Sequence, residues 1–186
     1  MGLRTNNVLL KKGGNVTENR YNLLDEAWIP IADMGKAGLL RVFGGRECRA
    51  LGGTAVQKIA VLKLLIAIAQ AAATPQDTQE WAAMGPDGLG ERCTAYLKLW
   101  RNAFWLYGDK PFLQMPACSK AELKPYGTAM PQVASGNTTL LTQLQLEPVM
   151  SDASRALLLV EQMGFGLGGR RCTDIRLRGM LTRGIR

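Results

Sequence analysis

Apolar and polar positions divide the chain into a polar start, a largely apolar middle and a mixed end. Residues 1–20 are polar and rich in Asn and Gly, which is typical of an extension ahead of a folded domain. Over 21–31, apolar residues flank an acidic pair and Pro30 blocks a helix, so the pattern predicts a strand or an extended entry segment. The apolar run 39–43 ends at two glycines and predicts a second short strand.

The clearest helix signal starts at Thr54. Thr54 and Gln57 match a capping box, in which the threonine side chain accepts from the backbone N–H three residues later and the glutamine reaches back. The run 56–73 is apolar almost all round yet carries Lys58 and Lys63, and it is slightly shorter than the ~20 residues that cross a bilayer. We therefore predict a central core helix in preference to a membrane segment.

Two further helices with a turn between them are predicted after the core helix. Thr74 and Pro75 supply an N-cap and a proline at the first helical position for a helix that ends near Ala83. The stretch 84–90, rich in Gly and Pro, predicts a turn, and 91–107 predicts a helix. Three aromatic residues recur every four positions on this helix, which indicates core packing more than a base-stacking platform. They are Tyr96, Trp100 and Phe104.

The end of the chain combines a long polar connection with a helix and a glycine-rich exit. Residues 115–139 are rich in Pro, Gly, Ser and Thr, and long connections of this kind often carry function. Ser151 or Asp152 caps a predicted helix that runs to about Gln162. The chain then enters the glycine-rich stretch 164–169, which two arginines follow. Taken alone, these glycines also fit an ordinary helix C-cap and turn.

Together these elements predict an α+β fold, a mostly helical single domain with a few short strands. With 186 residues and 47% hydrophobic content, the chain can bury one core. Twenty-three Lys and Arg against 15 Asp and Glu give a net charge of +8, which favours polyanionic partners, nucleic acid before an anionic membrane surface. Six arginines lie in the last 17 positions with Asp174 as the only acid, so we expect an anionic partner there.

The residue types that are absent from the chain exclude several kinds of catalytic and metal-binding site. It has no His, which removes the usual general base and excludes Ser-His-Asp and Cys-His mechanisms. Its four cysteines are scattered without a C-x-x-C pair, so zinc sites of common spacing are excluded. With no secretory signal recognised, free thiols in a reducing cytoplasm are expected. We therefore expect no catalytic residue, no metal and no cofactor.

Three segments, in this order, resemble the large subunit of the type I-E CRISPR Cascade complex, often called CasA. The segment 21–31 is similar to the family's opening NLL-D-WIP signature, and 96–114 is similar to its helix followed by PF-Q. The segment 151–169, a helix with a GFGLGG exit, resembles the family's glycine loop. The resemblance implies three regions: an extension over 1–20, a domain like the N-terminal domain of the large subunit over 21–171, and an Arg-rich tail over 172–186.

In that family the glycine loop approaches the minor groove of the duplex that carries the protospacer-adjacent motif, and a preceding loop contacts DNA and RNA. Residues without a Cβ let the backbone come close to base edges, which gives the glycines a physical role. The resemblance therefore implies a DNA-binding set, with the two arginines beside the groove or its phosphates. The set is Gly164, Phe165, Gly166, Gly168, Gly169, Arg170 and Arg171, with Asn137, Thr142 and Gln143 from the preceding loop.

The resemblance also implies a protein without enzymatic activity that works in CRISPR antiviral defence. Its expected partners are a CRISPR guide RNA, target double-stranded DNA and the other Cascade subunits, both backbone and handle-binding, with no membrane. It would check the motif on the duplex and help guide pairing, while the RNA reads the remaining sequence. One alternative stays open, a free-standing basic protein that binds nucleic acid or another protein without guide specificity.

Members of the family continue beyond the position that corresponds to Arg186, with further groove-probing elements and a carboxy-terminal helical bundle. We therefore expect this chain to be either a natural reduced variant or a truncated product. The Arg-rich tail would then hold phosphates in place of missing contacts, or it would be an abbreviated remnant.

Overall fold

The computed structural model describes residues 18–114 and 150–165, and it confirms the expected mixture of helices and a few short strands. The strand or extended segment predicted over 21–31 is confirmed at its two ends, which belong to the first and second strands, while 23–26 between them form a turn and bend. In chain order the elements are β1 Arg20–Asn22, β2 Ile29–Ile31, β3 Gly35–Ala37, α1 Leu39–Gly44, α2 Ala55–Ala72, α3 Thr78–Leu99, a 3-10 helix Arg101–Phe104, β4 Trp105–Tyr107 and α4 Asp152–Phe165.

Two small antiparallel sheets tie the entry segment to later parts of the chain. In the first sheet β1 pairs with β4, with Arg20 opposite Tyr107. In the second, β2 and β3 form a hairpin with Ile29 opposite Ala37. The first sheet therefore places the entry segment beside the region that follows α3.

The core forms around the entry segment, whose apolar side chains are among the most deeply buried. Leu23, Leu24 and Trp28 have no exposed surface, and the Trp28 indole N–H donates to the Leu23 carbonyl at 2.9 Å. The buried indole therefore keeps a hydrogen-bond partner, as its polar N–H requires. Phe104 and Phe112 stack on each other with ring centroids 5.1 Å apart. Segments that carry the family resemblance thus supply packing residues.

The strand predicted over 39–43 is wrong, because this run forms α1. Leu39 is fully buried, and its backbone N–H donates to the Leu23 carbonyl at 3.2 Å. The N–H of the next residue donates to the Leu24 carbonyl at 3.1 Å. The entry segment thus supplies acceptors for N–H groups that the first turn of any helix leaves without partners. A short apolar run does not distinguish helix from strand, and this tertiary contact decides the outcome.

The helix predicted to start at Thr74 and Pro75 starts later. Asp77 is the N-cap of α3, and its side chain accepts from the Glu80 backbone N–H at 2.8 Å. The Thr74 hydroxyl donates instead to the Gln70 carbonyl, at 2.7 Å, beside the end of α2. A carboxylate at the positive end of the helix dipole is a strong cap, which explains why the start shifts to Asp77.

The turn predicted over 84–90 is reduced to a kink within α3. Gly85 has φ 59° and ψ −179°, a conformation that residues with a Cβ rarely adopt. Pro86 follows directly, and its fixed φ suits the first position of the resumed helix. The rest of the predicted turn is helical.

α3 ends at Leu99, well before the predicted end near Tyr107, because the 3-10 helix and β4 follow it. Trp100 is the C-cap of α3 and leaves the helical conformation, with φ −95° and ψ 18°. The predicted stripe loses its helical spacing at that point. Phe104 is buried and Tyr96 is partly buried, but Trp100 is 54% exposed, so its assignment to the core is wrong.

α2 begins with the predicted capping box, which is confirmed in both directions. The Thr54 side chain accepts from the Gln57 N–H at 3.3 Å, and the Gln57 side chain accepts from the Thr54 N–H at 3.0 Å. Within the described residues, α2 is the one helix long and apolar enough to cross a membrane. Its inner face is buried, but three large apolar side chains of the opposite face are about half exposed. The prediction of a core helix is therefore confirmed for one face only.

Candidate nucleic-acid interface

α4 leads to the predicted DNA-contacting loop. Ser151 caps its first turn, since Ser151 Oγ accepts from the Ser154 N–H at 3.2 Å. The helix runs to Phe165, beyond the predicted end at Gln162. Gly164 and Phe165 therefore belong to the last described turn of α4, which corrects their assignment to a loop. Packing continues beyond Gln162, because Met163 is partly buried against the core and Gly164 lies close to Ala60 of α2.

A charged cluster fixes the first turn of α4 to the β1–β4 sheet. Asp152 accepts from the Tyr107 hydroxyl at 2.7 Å and from the Arg20 guanidinium at 3.0 Å. The guanidinium of Arg20 also lies over the Tyr107 ring, 4.3 Å from its centroid. Burial, followed by the hydrogen bond to Asp152, raises the pKa of Tyr107, so its hydroxyl remains a donor at neutral pH. The start of α4 is thus held from two sides.

The middle of α4 is buried against α2 and includes a carboxyl group. Glu161 is only 4% exposed, and burial raises its pKa, while a hydrogen bond with the Gln57 side chain opposes that rise. Gln57 also belongs to the capping box of α2. One side chain therefore closes the start of α2 and contacts the buried acid of α4.

The described end of α4 is held by a lysine from α2. Lys63 Nζ donates to the Gly164 carbonyl at 3.1 Å, and it lies 4.9 Å from the centroid of the Phe165 ring. A cation at this position complements the negative end of the α4 dipole. A Cβ built on Gly164 would lie 3.5 Å from the Ala60 Cβ, an ordinary contact, so the two helices approach closely there. Lys63 thereby places a positive charge where the chain continues into 166–169.

Two members of the predicted DNA-binding set lie within the described residues, namely Gly164 and Phe165, and α4 brings them together in one turn. The remaining members are outside the described ranges, so their predicted grouping stays a prediction. They are Gly166, Gly168, Gly169, Arg170, Arg171, Asn137, Thr142 and Gln143.

Sequence reasoning missed Lys63 and Gln57 as supports of this site. Each contacts a residue of α4 about 100 positions away in the chain, and periodicity within one helix carries no signal of such a pair. The capping box identified Gln57 only as a local partner of Thr54. The sequence therefore indicates which residues cap a helix. It does not indicate which of its side chains contact a neighbouring helix.

Two further features of residues 18–114 and 150–165 concern metal-binding groups and thiols. No group of three or more Cys, Asp or Glu side chains able to hold a metal ion occurs within them. Cys48 and Cys93, both in this part of the chain, are free thiols. Burial is the main cause that raises the pKa of each, so both are poor nucleophiles at neutral pH.

Comparison with known proteins identifies similar sequences. The family model of CRISPR-associated protein Cse1 matches residues 22–186. The CRISPR-associated protein CasA/Cse1 of Thermus thermophilus is 27% identical in a 168-residue alignment, which covers 81% of this chain and 32% of the relative.

Solved structures show the same fold. The crystal structure of Thermobifida fusca Cse1 matches with a TM-score of 0.65 at 24% identity, covering 86% of this chain and 33% of that one. Thermus thermophilus CasA (Cse1) matches with a TM-score of 0.61 at 23% identity, covering 82% of this chain and 32% of that one. The chain thus spans about a third of the length of these relatives.

Proposed function

Because the chain belongs to the CRISPR-associated protein Cse1 family, we propose that it is a DNA-contacting subunit of a type I CRISPR surveillance complex of the Cascade kind. It recognises the protospacer-adjacent motif on duplex DNA and helps the guide RNA to pair. The end of α4 at Gly164 and Phe165 leads into 166–169, which approaches the minor groove, and Arg170 and Arg171 bind nearby phosphates. The protein acts by binding. Its partners are the guide RNA, the target duplex and the other subunits.

The observation that carries this proposal is the extent of the family match. It begins at Asn22 in the entry segment and continues through the glycine loop and the arginine tail. An unrelated basic protein is not expected to match the family over both the packing segments and the glycine-rich stretch 164–169. The free-standing alternative therefore loses support from the same match.

The distribution of charge supports the proposal independently. The described ranges, 18–114 and 150–165, contain 12 Lys and Arg against 12 Asp and Glu, so their formal charge is zero. The whole excess of +8 therefore lies in the remaining segments, and 166–186 holds six Arg against one Asp. Phosphate contacts need cations that are not already balanced by acids. Five of the eight excess charges lie in 166–186, which includes the two arginines that the proposal assigns to DNA, and the other three lie in 1–17.

The contacts that hold both ends of α4 also support the proposal. A loop that reads a groove needs a fixed base, since a displacement of about 1 Å separates a hydrogen bond from no contact. Asp152 fixes the first turn of α4 to the sheet, and Lys63 fixes its last described turn to α2. The loop thus begins from a helix that is held at both ends.

Reconstitution tests the proposed function. The other Cascade subunits of a Cse1-containing system are assembled with guide RNA, with and without this chain. Each assembly is mixed with a library of duplexes that match the guide and carry randomised flanking positions. We expect the chain to co-purify with the ribonucleoprotein and to enrich a subset of flanking sequences. A chain that stays apart from the ribonucleoprotein and binds all duplexes equally would support the free-standing alternative instead.

A further inference from the structure

The outer face of α2 is apolar and lacks a partner within the described part of the chain. Ile59, Leu62 and Ile66 are 48, 49 and 48% exposed. At about 100° per residue they fall within about 60° of arc, so they form one stripe along the helix. The stripe lies opposite the buried face that carries Ala60, Val61 and Ile68. Single exposed apolar residues need no explanation, but three in one stripe form a candidate interaction surface.

Two lysines border the stripe, one on each side. Lys58 lies one turn before Leu62, and Lys63 lies one turn after Ile59. Both are exposed, and α2 contains no Asp or Glu. The hydrogen bond from Lys63 to the Gly164 carbonyl does not neutralise its charge. The face is therefore an apolar stripe between two positive edges.

We propose that this face is the docking site for an amphipathic helix of another protein subunit, with an apolar stripe and acidic residues on its flanks. The inference rests on the proposed function, because the subunit is sought within the same ribonucleoprotein. Helix-on-helix packing suits a straight apolar stripe, and acidic flanks complement the two lysines. α2 is already fixed by α3 and α4, so the face is formed before the partner arrives.

Two other occupants fit less well. A second copy of this chain would bring the same lysines together across a twofold axis, and like charges repel. A bilayer that α2 crossed would have to surround the helix, but the inner face of α2 is packed against the core and against α4. A partner with acidic flanks meets neither obstacle.

The first experiment removes apolar surface. The double variant Leu62→Ser/Ile66→Ser is titrated against the reconstituted ribonucleoprotein that contains the other subunits and guide RNA. We expect affinity to fall by at least about tenfold, because half of each side chain remains to be buried by a partner. Leu99→Ser is the control, since Leu99 is 79% exposed on α3 and its loss should leave affinity unchanged. Circular dichroism of each variant verifies that the fold is retained.

A second variant tests the charge of the edge. Lys58→Glu should weaken the same association at low salt, and the difference from wild type should shrink as salt rises, because exposed charges are screened. Lys63 is unsuitable here, since it also contacts α4. An equal effect at all salt concentrations would overturn the predicted acidic flanks.

The outcomes separate this inference from the proposed function. If the wild-type chain does not join the ribonucleoprotein, both fail. If wild type and Leu62→Ser/Ile66→Ser join it equally well, the proposed function stands and the docking face is wrong. Flotation of the wild type, but not the variant, with phosphatidylcholine–phosphatidylserine vesicles would assign the face to a membrane. Sedimentation of the wild type as a dimer and of the variant as a monomer would assign it to a second copy.

Discussion

At the scale of single residues, the buried carboxyl of Glu161 makes stability depend on pH. Burial raises its pKa above the usual glutamate value of 4.5, so folding favours the protonated form. This contribution to stability is fully present below pH 4.5 and is lost as pH rises through the folded pKa. A charge that is buried without a cation is a cost at neutral pH.

Glu161→Gln should therefore stabilise the protein at pH 7. The amide can still accept from Gln57, whose side chain contacts this position, and it removes the buried charge. We expect a gain on the order of 1 kcal/mol, or about 2–4 °C in Tm, and a smaller gain at pH 4. Thermal unfolding at both pH values measures it. The same difference at both would show that the charge of Glu161 has no part in stability.

Lys63 is expected to hold the last described turn of α4. Lys63→Ala removes the hydrogen bond to the Gly164 carbonyl and the contact with the Phe165 ring, so amides 162–165 should exchange hydrogen roughly 3- to 10-fold faster. Lys58→Ala removes the same charge from the same helix and is the control. Exchange by mass spectrometry gives the answer. Equal rates in both variants would mean that Lys63 does not restrain α4.

At the scale of elements, the start of α1 depends on a glycine that no periodicity identifies. A Cβ built on Gly38 would lie 2.6 Å from the Leu24 carbonyl oxygen, because α1 begins directly against the entry segment. Gly38→Ala should cost about 1–3 kcal/mol through overpacking. At Gly44, the Cβ would lie 3.8 Å from Thr94 Oγ1, so Gly44→Ala should be nearly neutral. Urea midpoints that do not differ between the two variants would contradict this account of α1.

The sequence predicts an element correctly when residues close together in the chain determine that element. The capping box at Thr54 and Gln57 is decided by residues three apart, and the sequence contains both partners. α1 is decided by carbonyls of the entry segment, and a pattern over 39–43 carries no information about them. The kink at Gly85 is an intermediate case. Its Gly-Pro pair correctly predicts a break between two helical segments, but not the helical conformation of the rest of 84–90.

The candidate site follows the same rule. The glycines of the candidate site and the arginines that follow them are contiguous, so the sequence alone identifies this combination. The contacts of Lys63 and Gln57 with α4 could not be predicted from the sequence, because they depend on the packing of α2 against α4. The sequence therefore proposes which residues form the candidate site, but it carries no signal of the side chains that hold α4 in place.

At the scale of the whole molecule, charge separates the neutral described part from basic segments. Arg176→Ala/Arg178→Ala/Arg183→Ala should lower affinity for duplex DNA and reduce the salt slope by about one unit per lost phosphate contact. The control is Arg41→Ala/Arg46→Ala/Arg92→Ala, because these arginines already pair with Glu47, Asp87 and Glu80. Binding measured over a range of salt concentrations compares the two. Equal slopes would show that the tail makes no phosphate contact.

Minor-groove reading by the glycine loop is the central claim, and one substitution within the reconstituted complex tests it most directly. Gly168→Val adds a β-branched side chain where the loop is proposed to meet base edges. Gly44→Val is the control, because a Cβ there meets only an ordinary contact. Binding of guide-matched duplexes with and without the enriched flanking motif is compared for both variants. We predict that Gly168→Val joins the complex normally but loses at least about tenfold in affinity for the motif-bearing duplex. Binding of both duplexes at the level of Gly44→Val would contradict the claim.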